Sequence, residues 1–174
     1  IWVIRLPRVL LAFLVGASLA VSGAVIQSIL KNPLASPYTL GVSSGASLGV
    51  GLYIILGFSI PLVGNMALPV IGFICGLATV FSVILFANKV DRGLSNNTMI
   101  LAGMVFSLFT NAMLTTITAL NSENITQITM WQMGSFAMRG WPYVRAIIPF
   151  FIVGLFIVLK YCKEMDVLSF GEDQ

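Results

Sequence analysis

Apolar residues run along this chain in long blocks separated by short polar clusters. A membrane-spanning helix needs about 20 mostly apolar residues at a rise of about 1.5 Å each. The first such block covers 9–30, between Arg8 and Lys31. No Asp, Glu, Lys or Arg follows until Lys89, and turn-forming residues divide that uncharged stretch. The dividers are Asn32-Pro33-Leu34-Ala35-Ser36-Pro37 and Pro61-Leu62-Val63-Gly64-Asn65, which leave blocks at 40–58 and 66–88. Pro69 falls in the first turn of the latter, where a missing N–H matters little. A polar cluster from Lys89 to Asn97 precedes a fourth block at 98–120, and a fifth covers 143–160. Residues 121–142 are too polar to cross and too apolar for a free loop. Trp131 and Trp141 there favour the headgroup zone, which predicts a short interfacial helix and turn. The pattern predicts an all-α, polytopic membrane helix bundle of about five transmembrane helices.

Composition reinforces this. Apolar residues make up 58% of the 174, and charged residues 9% against roughly 25% in soluble domains. The mean hydropathy is +1.00. The chain starts at Ile1 and stops at Gln174 inside a polar segment, as a fragment would. The net charge of +3 comes from basic residues scattered beside apolar runs, which suits membrane flanking and not nucleic acid. There is no His to serve as metal ligand or base, and Cys75 and Cys162 stand apart as structural thiols.

Small residues carry a packing signature. Gly41, Gly45 and Gly49 recur every four residues, as do Gly72 and Gly76, and Gly16, Ala20 and Ala24. That spacing lets helix backbones approach closely in lipid. None of the five blocks holds an acid, and Arg145 lies near the start of its block, where it can snorkel. No phosphate-binding G-x-x-x-x-G-K-[ST] occurs, so uphill transport would draw its energy from a partner. No catalytic, cofactor or metal constellation is present.

Read in order, Arg5-Leu6-Pro7-Arg8, the run from Val15 to Gln27, Asn32-Pro33-Leu34-Ala35-Ser36-Pro37 and Leu40-Gly41-Val42-Ser43-Ser44-Gly45-Ala46 resemble the FecCD family. Leu101-Ala102-Gly103, Trp131-Gln132-Met133-Gly134-Ser135 and Leu168-Ser169-Phe170-Gly171-Glu172 continue the match over essentially the whole chain. These are permease subunits of type II ABC importers for iron-siderophores, haem or vitamin B12. The resemblance implies a partial permease domain over 1–174, the second to sixth spans of a ten-helix fold. A cytoplasmic coupling segment would start at 167–174. It implies as partners a second permease subunit, identical or not, two ATPase subunits that hydrolyse the ATP, and an extracytoplasmic substrate-binding protein. The setting would be a bacterial cytoplasmic membrane. Siderophore is the favoured cargo, with haem and cobalamin open.

The resemblance also implies residue roles. Arg5 and Arg8 would dock glutamates of the binding protein, although helix-end anchoring alone would explain them. Asn32 and Leu34, with Ser95 and Asn96, would gate the cytoplasmic end. Ser-Asn departs from the small hydroxyl pair expected at the second gate, and turn chemistry alone also accounts for both loops. Leu168, Gly171 and Glu172 would open the helices that couple to the ATPase. With that end inside, Lys31, Lys89, Arg92, Lys160 and Lys163 lie inside and Arg5, Arg8, Arg139 and Arg145 outside, a weak bias. Met104, Phe106, Phe109, Met113 and the nearby threonines of the fourth block could line the pathway, though burial is the more ordinary fate of an apolar helix. The competing classes are a non-transporting membrane structural or interaction module and part of a secondary carrier.

Overall fold

A computed structural model describes residues 2–58, 64–93, 95–137 and 139–170, without the side chains of Asn65 and of residues 168–170. The expected turn at Pro61, Leu62 and Val63 lies outside the described residues. All regular structure among those described is helical: α1 (Arg5–Ile29), α2 (Val42–Leu56), α3 (Ala67–Val90), α4 (Asn96–Leu120), α5 (Ile125–Met133), α6 (Trp141–Lys160) and α7 (Cys162–Phe170). Single 3-10 turns at Gly64–Met66 and Ser122–Asn124 lead into α3 and α5.

Four helices, α1, α3, α4 and α6, are long and apolar enough to cross a bilayer. The fifth apolar helix, α2, has 15 residues, about 22 Å of rise against a hydrocarbon core of about 30 Å. It is shorter than the apolar block around it because Gly41 and Gly57 bracket it in the left-handed region, at φ 75° and 63°, where a residue without a Cβ is unstrained. α1 begins before the block at 9–30, with Pro7 in its first turn, where the ring costs no hydrogen bond. α5 occupies the zone expected to hold a short interfacial helix.

The chain forms two compact units. In the first, residues 1–37 and 135–174, α1 packs on α6 and α7. Pro7, Leu11 and Val144 are buried there, and the Trp141 indole N–H donates to the Trp2 carbonyl at 3.1 Å.

In the second unit, residues 38–134, α2 packs on α3 and α4, and α5 lies on α2. Val50, Val83 and Ala87 are fully buried. Helix approach is set by missing side chains. A Cβ at Gly45 would collide with the Thr79 side chain, one at Gly49 with Cys75, and one at Gly76 would come within 3.2 Å of Val42 Cγ1. Gly72 faces Trp131 at 3.3 Å. Gly16 of α1, in contrast, has open space around it.

Several hydroxyls within these helices are satisfied by their own backbone. Ser18 donates to Leu14 O, Thr79 to Cys75 O, Thr110 to Phe106 O and Thr118 to Leu114 O, at 2.7–2.8 Å. In lipid that removes the cost of an unpaired polar group.

Candidate functional site

The first loop follows α1. Lys31 turns the chain with φ 46°, and the loop then folds back along the helix it has just left. Pro37 rests on Gly23, whose added Cβ would sit 3.8 Å from the ring. One turn further along the same helix face, the Gln27 side-chain amide donates to Pro33 O at 3.1 Å and Ala35 O at 3.2 Å. The Asn32 carboxamide oxygen accepts the Leu34 N–H at 2.9 Å, an Asx-turn. Leu30 and Ala35 are buried, while Leu34 is 90% exposed.

The second loop joins α3 to α4 in the other unit. Asp91 organises it: one carboxylate oxygen accepts the Gly93 N–H at 3.0 Å, the other the Ser95 N–H at 3.1 Å and the Thr98 hydroxyl at 3.3 Å. Ser95 Oγ and Thr98 Oγ1 are 2.8 Å apart. The Ser95 side chain first, then the Gly93 and Ser95 amides, hold the Asp91 carboxyl below its ordinary range, against a small desolvation effect. Ser95 is exposed and Asn96 opens α4.

Within the second unit, α4 presents two chemically different faces. Ser107, Asn111, Thr115 and Thr118 recur at helical spacing. A recess of about 370 Å³ is lined by Tyr38, Ser43, Ser44, Ser47, Ser107, Asn111 and Gln132. Asn111 and Gln132 also line an adjoining recess of about 450 Å³ that reaches Thr115, Thr118 and Thr129. Every side chain lining the first recess is polar and none is charged. Away from it, Phe109, Met113 and Thr116 line an apolar hollow of about 310 Å³. Phe106 packs edge-on against Phe86 of α3, with centroids 5.7 Å apart, and Met104 is half exposed. Phe106, Phe109 and Met113, spaced i, i+3 and i+7, fall on one side of α4, and Met104 falls on another.

The remaining positions are dispersed. Arg5 and Arg8 are exposed in the first two turns of α1. Arg139, by contrast, donates to the Tyr143 hydroxyl at 2.7 Å and stacks 4.7 Å from its ring centre. Leu168 lies in the last turn of α7. Its side chain, and Gly171 and Glu172, fall outside the described residues. The sequence pattern singles out the threonines of α4 but not Gln27, Asp91, Ser107 or Asn111. The D-x-G spacing of Asp91 and Gly93 is a turn signal that could have found the second.

The family model of the FecCD transport family matches residues 1–174. The uncharacterized ABC transporter permease protein YvrB of Bacillus subtilis is 45% identical over 98% of this chain and 48% of its own length. The hemin transport system permease protein HmuU of Yersinia pestis is 33% identical over 100% of this chain and 52% of its own. A solved structure described as an inward-facing conformation of a metal-chelate type ABC transporter superposes with a TM-score of 0.84 at 34% identity, over 98% of this chain and 53% of that one. The chain spans about half the length of the curated relatives it matches. Apolar helices that can span a bilayer, broken by tightly organised polar loops, agree with a full-length family match: the chain belongs to the FecCD transport family.

Proposed function

We propose that this chain is part of the permease subunit of an ATP-driven importer for an iron-siderophore or related chelate, and that it forms part of the translocation pathway. The observation that carries the reading beyond family membership is the charge-free polar recess among α2, α4 and α5. Neutral hydroxyls and amides can exchange hydrogen bonds with a passing polar solute without holding it as a fixed charge would. That suits a pathway whose affinity resides in a separate binding protein. HmuU is named for hemin and the solved relative for metal chelates, which supports a bulky chelate as cargo.

In this reading the 1–174 segment is a partial permease domain. Its partners are a second permease subunit, two ATPase subunits and an extracytoplasmic binding protein, in a bacterial cytoplasmic membrane. Arg5 and Arg8 dock the binding protein. Asn32 and Leu34, with Ser95 and Asn96, gate the cytoplasmic end, and the segment at Leu168, Gly171 and Glu172 leads into the ATPase contact. Gly41, Gly45, Gly49, Gly72 and Gly76 set helix approach. The test is uptake by the complete permease, reconstituted with its ATPase and binding protein in liposomes, offered a ferric siderophore, hemin and cobalamin in turn. ATP-dependent accumulation of one of them is expected, and accumulation that persists without the ATPase would favour a secondary carrier instead.

A further inference from the structure

We infer that Gln27 is a positioning residue that fixes Leu34 to the end of α1, an inference that rests on the gate role proposed above for the 32–34 loop. A leucine that is 90% exposed contributes nothing to a core, and on a free loop it would sample many directions. Here its backbone is held on both sides. The two carbonyls that flank Leu34 in sequence, those of Pro33 and Ala35, both accept from Gln27 Nε2. An amide nitrogen carries two hydrogens, so this one group serves both acceptors. The Leu34 N–H is taken by Asn32 Oδ1, and the Ala35 N–H donates to the Asn32 carbonyl at 3.0 Å. Pro37 against Gly23 and the burial of Leu30 and Ala35 complete the frame.

The loop is thus a rigid extension of α1, and any displacement of that helix end carries the Leu34 side chain with it. That arrangement turns helix motion into motion of the gating side chain without lag. Only donation by residue 27 matters to it. Glutamate, of the same shape, would present acceptors to two carbonyls. Two partly exposed hydrogen bonds of modest net strength bias the loop by about fivefold to tenfold.

The test uses the complete permease with its ATPase in phosphatidylethanolamine/phosphatidylglycerol vesicles loaded with carboxyfluorescein. A nitroxide on Leu34→Cys reports loop mobility, and dye loss reports gate closure. With Gln27→Glu, the label is expected to become mobile and, in the Leu34 background, dye loss to rise about fivefold to tenfold. Gln27→Met repeats the test without added charge, and Gln27→Lys, which keeps donors, should stay within about twofold of the parent. Unchanged mobility, or greater mobility with no added dye loss, in both Gln27→Glu and Gln27→Met overturns the inference. Leu34→Ala with Gln27 intact isolates the premise: if dye loss does not rise there, the gate role itself is wrong.

Discussion

A carboxylate that accepts from two backbone amides and a hydroxyl is worth most to its loop when it is charged. Asp91 does this for residues 93–98, and those donors keep its folded-state carboxyl below the ordinary range. The sign of the pH effect follows. Because the folded value is depressed, the contribution is fully present above the unfolded aspartate range, about pH 4, and is lost as pH falls from there through the lower folded value. Amide hydrogen exchange at Gly93 and Ser95, corrected for intrinsic pH dependence, should therefore show constant protection at neutral pH and a decline in acid. Asp91→Asn should show reduced protection at neutral pH and no such acid transition. An acid transition that survives in Asp91→Asn would assign the effect to another group. Asp91 was legible in principle, since D-x-G is a local turn signal. Gln27 was not: its acceptors depend on the loop folding back over α1, which no local spacing announces.

Helix position was more legible than helix packing, for a physical reason. Bilayer thickness dictates a minimum apolar length, so blocks bounded by Lys31, Lys89 and Lys160 locate α1, α3 and α6 to within a few residues. Left-handed glycines, not polarity, end α2, and hydropathy is blind to backbone conformation. Periodic small residues announce close approach without naming the neighbour. Gly45 and Gly16 sit in similar sequence contexts, yet the first lies against Thr79 and the second faces open space. Gly45→Ala should push α2 and α3 apart and lower stability by about 1–3 kcal/mol, read as a lower thermal midpoint in detergent. Gly16→Ala should be neutral or stabilising by up to about 1 kcal/mol, because the helix gains propensity and nothing is displaced. Equal losses at both sites would mean that α1 packs through Gly16 in the complete protein.

At the scale of the whole molecule, the chain matches about half of each relative, and Arg5 and Arg8 are among its exposed charges. The resemblance, with its coupling end inside, puts Arg5, Arg8 and Arg139 all on the outer side, but their surroundings differ. Arg139 is occupied by Tyr143, in both a hydrogen bond and a cation–π contact. Arg5 and Arg8 are exposed three residues apart on the first two turns of α1, a spacing that puts both guanidinium groups on one side of the helix end. If they receive carboxylates of the binding protein, Arg5→Glu with Arg8→Glu should weaken docking to the complete permease by at least tenfold at low salt, since attraction is replaced by repulsion. The loss should shrink as ionic strength rises past the point where the screening length is about 8 Å. It should fall mainly on the association rate, as for charges at an interface rim. Arg139→Ala should leave that rate unchanged. Surface-immobilised permease titrated with its binding protein at several salt concentrations measures all three quantities. A reversal that left the association rate unchanged at low salt would reduce Arg5 and Arg8 to anchors of a helix end.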